Sequence, residues 1–201
     1  MLAIRLCLLV KKCVSGQFER NREPTKEMTT KKMEEEIINK VSQSGLVTID
    51  LEAFYPQGER VLFDIKELLF QGLILREKDF REFIKNEDWN TYKDKYVALI
   101  CSADAIVPTW AYMLLATQLE PVAKKVVFGN LETLETVLYS EILNQLNIDE
   151  YKDARIVIKG CGDLPVPKAA YVQITSMLRP IAKSIMYGEP CSTVPLYKKG
   201  K

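Results

Sequence analysis

Apolar and polar residues alternate over Leu46–Leu51 (LVTIDL), the pattern of a half-buried strand. A second short strand is predicted at Arg60–Phe63, followed by a helical turn over Ile65–Phe70 that Gly72 stops. The stretch Leu73–Leu75 fits strand and helix equally. Phe80, Phe83 and Ile84 recur at helical spacing within Asp79–Lys85, and Glu87–Asp94 is a polar loop around Trp89. Tyr96–Cys101 (YVALIC) is a continuous apolar run of strand length, as a strand buried on both faces requires. Pro108–Leu119 is apolar nearly all round and predicts a buried helix, with Pro108 near its start and Pro121 beyond its end. Val126–Phe128 is a strand. Asn130 is placed to cap a helix carrying Leu131, Leu134, Leu138 and Leu146 at helical spacing. Ala154–Ile158 is again a strand and Pro167–Leu178 a helix. Ile185–Tyr187 is a further short strand, and Glu189–Lys201 is expected to be an irregular tail. Upstream, Ile37, Ile38 and Val41 share one face behind three acidic residues, which predicts a short helix over 33–43.

Strands alternating with helices specify an α/β fold with a mostly parallel sheet and helices on both faces. The element order resembles that of STAS-type α/β modules, a likeness that fixes no function. Residues 33–201 are expected to form a single α/β domain. Residues 15–32 are polar and aperiodic, so 1–32 is read as a flexible leader or an added upstream start.

Within the domain, two segments 59 residues apart are alike. DAIVPTWAYMLLATQLEPVAKKVVFG (104–129) and DLPVPKAAYVQITSMLRPIAKSIMYG (163–188) share ten of 26 positions. Ordinary residue frequencies would produce about one or two. The chain is therefore read as carrying an internal strand–helix–strand duplication, with units at about 96–129 and 154–188.

Composition then narrows the chemistry. With 47% apolar and 27% charged residues, the chain builds an ordinary core and needs no disulfides to fold. It has no histidine, which excludes a Ser-His-Asp triad, a Cys-His dyad and every His-based zinc motif within it. The net charge of +1 conceals a basic 1–32 and a mildly acidic remainder, so the folded part lacks the basic stripe that nucleic-acid binding needs. Met1–Val14 is too short to span a bilayer, and Arg5 breaks its apolar run, which makes it a poor signal peptide. No membrane association is expected. Five cysteines, an odd number with no C-x-x-C pair, in a chain of ordinary size point to a reducing compartment.

Two groups of residues carry candidate chemistry. Asp104 and Asp163 precede the two matched helices by equal distances. Each follows a strand, at the carboxyl edge where open α/β sheets bind ligands. Either each aspartate caps local N–H groups or it serves as a base or ligand. Cys101 and Cys161 follow the corresponding strands one residue out of register, and Cys191 lies in GEPCSTVP just past the second unit. If those strands are neighbours, Cys101, Cys161 and Cys191 with Asp104, Asp163 or Glu189 would form a soft site for zinc or an iron–sulfur cluster. The simpler alternative is that the cysteines are small buried apolar residues, and a third is a single reactive thiol at Cys101 or Cys161, activated at a helix N-terminus.

The segments CSADAIVPTWAYML (101–114), FDIKELLFQGLILREKDFRE (63–82) and YGEPCSTVPLYKK (187–199) resemble the bacterial family called domain of unknown function 2480, found chiefly in Bacteroidetes. The resemblance covers Met33 to Lys199. It implies a cytoplasmic bacterial protein and carries over no catalytic residue. Three functions fit these residues. The favoured one is a non-enzymatic binding or accessory factor acting through protein partners, or as a homodimer. The alternatives are a metal or iron–sulfur protein using the Cys/Asp cluster, and a small enzyme with Asp104 or Asp163 as its base.

Overall fold

A computed structural model describes residues 45–159, 162–189 and 191–200. The expected helix at 33–43, the leader at 1–32 and Cys161 lie outside the described residues. Among the described residues, seven strands and four α-helices make an α/β fold with mostly parallel pairing. The strands are Leu46–Asp50 (β1), Arg60–Asp64 (β2), Tyr96–Ile100 (β3), Lys125–Phe128 (β4), Arg155–Lys159 (β5), Ser184–Glu189 (β6) and Ser192–Lys198 (β7). The helices are Glu77–Asn86 (α1), Thr109–Leu119 (α2), Leu131–Leu143 (α3) and Lys168–Leu178 (α4).

The strands divide between two sheets. One has the order β2-β3-β4, all parallel. The other has the order β1-β5-β6-β7, parallel except for the antiparallel β6–β7 pair. The second sheet takes its first strand from ahead of the whole first sheet, so the chain completes β2-β3-β4 before returning to β5. This corrects the expectation of neighbouring strands. β3 is flanked by β2 and β4, and β5 by β1 and β6, so the strands ahead of Cys101 and Cys161 are not neighbours.

Corresponding positions in the two units make corresponding contacts. On α2 the buried line is Ala111, Leu115 and Leu119; on α4 it is Ala170, Ile174 and Leu178, each 59 residues on. An i, i+4, i+8 line gives one narrow stripe, which packs each helix on its own sheet. Asp94 and Asp153 both take a left-handed backbone (φ 59° and 54°), which Asp tolerates better than most residues. Their N–H groups donate to the carbonyls of Val122 (3.0 Å) and Ile181 (2.9 Å). Tyr112 meets Phe128 edge-on, as Tyr171 meets Tyr187. Gly129 and Gly188 end β4 and the matching part of β6 with φ of 135° and 118°. There a Cβ would strike the side chain of Thr133 or the carbonyl of Ser192.

The core follows from these stripes. Phe63, Val97 and Leu99 meet α1 and α2 on one face of the first sheet. Tyr96 and Ala98 meet Leu134 and Leu138 of α3 on the other. The same helix turns Tyr139 and Leu143 to the second sheet, where they join Ile49, Ile156, Ile158 and Ile185 under α4. Helix α3 is thus the shared wall, and its Asn130 cap accepts from Thr133 N at 2.9 Å, as the sequence predicts.

The tail expected to be irregular is largely strand β7. Pro195 lowers its strand signal, since proline cannot donate to a ladder. An edge strand tolerates that loss, and β7 is the edge of its sheet with a register shift opposite Ile185/Met186.

Candidate functional site

At the carboxyl end of the first sheet, β2 ends in Asp64 and β3 runs into Cys101-Ser102. One Asp64 oxygen accepts from Lys66 N and Ser102 N, each at 3.0 Å, and the other accepts from Ser102 Oγ at 2.6 Å. Burial works against the Asp64 charge, but these bonds outweigh it and hold its pKa below the usual carboxylate range. Cys101 is half-buried, with Sγ 3.7 Å from the carbonyl of Ala103. Tyr112 lies behind it, its pKa raised first by burial and then by the neighbouring Cys101 and Asp64. Asp104 is exposed.

The second sheet has its own rim. β1 ends in Asp50, which accepts from Glu52 N at 3.0 Å. Lys159 at the end of β5 lies 3.7 Å from Asp50 and 3.6 Å from Glu189, so it links those two carboxylates. Glu189 is half-buried, while Asp163 and Cys191 are exposed. The Glu52 carboxylate fills the space where a Cβ at residue 162 would project, which explains the glycine there. One of its oxygens, Oε1, is buried without a hydrogen-bond partner among the described residues.

The structure therefore distributes the sequence candidates over two rims. Cys101 and Asp104 belong to the first, and Asp163, Glu189 and Cys191 to the second. Among the described residues no three Cys, Asp or Glu side chains are placed to hold a metal ion. Sequence reasoning missed Asp64 with Ser102, and Asp50 with Lys159. A signal for the two aspartates was present: ID-L and FD-I at 49–51 and 63–65 end their strands alike. The Ser102 and Lys159 partners come from distant strands and carry no local signal.

A different surface combines exposed apolar side chains with a strand edge. β4 is an edge strand, and no described strand pairs with its outer side. Phe128 is 67% exposed and Met113 on α2 is 65% exposed. They border a groove of about 540 Å³ with Tyr112, Ala116 and Val126. In the second sheet the strand positions matching Val126 and Phe128 are covered, whereas Val172, which matches Met113, is itself 68% exposed. Ile185 is fully buried opposite Tyr197 of β7, and Tyr187 lies half-buried opposite Val194. A free edge beside exposed apolar side chains is a surface suited to another polypeptide.

Away from both rims, Arg60 of β2 makes a two-pronged pair with Glu135 of α3, at 2.7 and 3.2 Å. Its guanidinium lies over the rings of Tyr55 (4.4 Å) and Tyr96 (5.1 Å). These contacts anchor α3 to the first sheet and occupy the charge that would otherwise face ligands there. Among the described residues, no helix is long and apolar enough to cross a membrane.

The family model described as Protein of unknown function (DUF2480) matches residues 35–199. No curated protein and no solved structure matches the chain.

Proposed function

The chain belongs to the DUF2480 family, and on that premise we propose that it is an accessory factor that binds protein partners through β4 and the adjoining face of α2. The observation that carries this reading is the exposed pair Phe128 and Met113 beside an unpaired strand edge. Exposing two large apolar side chains next to free backbone groups is costly unless something covers them. We read the two strand–helix–strand units as duplicates, one with its edge closed by β7 and one left open for a partner. The odd cysteine count supports a reducing compartment, and we read that compartment as the cytoplasm. The rims support catalysis less well, since Asp64, Asp50 and Glu189 are engaged by Ser102, Glu52 N and Lys159.

A photo-crosslinking residue at position 113 tests the proposal in cells. Adducts to protein are expected there and not at position 172, its counterpart on α4, where Val172 is equally exposed (68%) beside a covered edge. Equal adducts at both positions, or none at either, would remove the basis for this reading.

A further inference from the structure

We propose that the free edge of β4 pairs with the β4 edge of a second copy of this chain, antiparallel about a two-fold axis at Val127. This rests on the partner-binding reading and names the partner. A two-fold axis normal to a sheet requires facing residues to lie on the same side of it. Val126 and Phe128 both face α2, and Val127 faces α3. Centring on Val127 therefore sets Val127 opposite its mate, and each Val126 opposite the partner's Phe128.

The second sheet shows that this chemistry closes such an edge. There Ile185, the counterpart of Val126, faces the aromatic Tyr197, and Tyr187, the counterpart of Phe128, faces the aliphatic Val194. Each pair joins one aromatic with one aliphatic side chain. β4 supplies both members from its own sequence, so two copies of it reproduce what β7 supplies to β6. Cross-strand pairs of this kind are the stabilising unit of a sheet.

Charge does not oppose the pairing. In this register Lys125 falls opposite Gly129 of the second copy, so no two lysines face each other. Each Lys125 ammonium is held by Glu141 of its own α3. Lys124 falls further out, and its ammonium donates to the carbonyl of Gln57 at 2.9 Å. The exposed Met113 of each copy lies over the same face of the joined six-stranded sheet, above the Val126–Phe128 contacts, where it excludes water from them.

Light scattering or sedimentation of the full chain from about 1 μM to about 1 mM tests the inference across the range of weak to moderate association. The mass is expected to rise from one chain to two. Met113→Glu and Phe128→Glu are each expected to raise the dissociation constant at least about tenfold. Val172→Glu is expected to leave it unchanged, and Phe128→Leu to retain the dimer. Circular dichroism and urea midpoints establish that each variant is folded. A one-chain mass throughout, or a dimer indifferent to both Glu variants, overturns self-pairing. A one-chain mass with crosslinks from position 113 to a different protein overturns this inference alone, whereas absence of both association and crosslinks removes the broader reading too.

Discussion

Two side chains show how single residues join distant parts of this chain. Tyr139 is fully buried, and its hydroxyl donates to the Leu51 carbonyl at 3.3 Å. Burial, then the nearby Glu135, raises its pKa, so the ring stays neutral at any physiological pH. Tyr139→Phe removes one bond and leaves a buried carbonyl, which should cost about 1–2 kcal/mol. Tyr139→Ala also opens a cavity between α3 and the second sheet and should cost about 3–5 kcal/mol. Urea unfolding of both variants checks the order. Asp64 and Ser102 form the second link. Ser102→Ala removes a bond at the surface to a partly buried carboxylate, and should lower stability by about 0.5–1.5 kcal/mol at neutral pH. The folded pKa of Asp64 is depressed, so its contribution is present above the unfolded value of about 3.9 and is lost as pH falls through the lower folded value. The gap between wild type and Ser102→Ala should therefore close in acid below about pH 4. A gap that stays constant through that range would mean that Ser102 acts by packing and not through the carboxylate.

Among the elements, the contrast between β4 and β7 is the most informative. Tyr197 of β7 packs on the second core, and the Arg179 guanidinium lies 3.9 Å from its ring centroid. Tyr197→Ala should cost about 2 kcal/mol, because it uncovers Ile185 and frees the arginine. Phe128→Ala removes a side chain that is mostly in solvent, and should change the stability of a single chain by less than about 0.5 kcal/mol. Chemical denaturation of dilute protein measures both. A large loss for Phe128→Ala would mean that the ring is structural and would argue against an open edge. Most elements were legible in the sequence because their stripes are local. Ala111, Leu115 and Leu119 recur every four residues, and YVALI is apolar throughout. β7 was not legible, because Pro195 and the flanking lysines weaken a strand signal that only pairing with β6 restores.

For the whole molecule, the decisive feature is that the strands ahead of Cys101 and Cys161 sit in different sheets. The cysteine site drawn from sequence required them side by side. Protein purified under reducing conditions is expected to fold without zinc or iron, as measured by elemental analysis together with circular dichroism. Stoichiometric metal that disappears in Cys161→Ser or Cys191→Ser protein would restore the metal alternative and overturn that expectation. The two rims should also respond separately. Asp64→Asn and Asp50→Asn lie at the ends of different sheets with no shared partner, so their stability effects are expected to add within about 0.5 kcal/mol in the double variant. A larger coupling would reveal a common centre.

The sequence alone determined the α/β class, most strand and helix positions though not β7, the Asn130 cap and the likeness of the two segments 59 residues apart. These are properties of periodicity and of short-range backbone preference, written within a few residues. Tertiary structure alone decided that β1 and β2 complete separate sheets, that α3 serves both, and that β7 closes one edge while β4 stays open. Strand partners are chosen by packing between segments up to a hundred or so residues apart. Two related local patterns can therefore end with one edge covered and the other free.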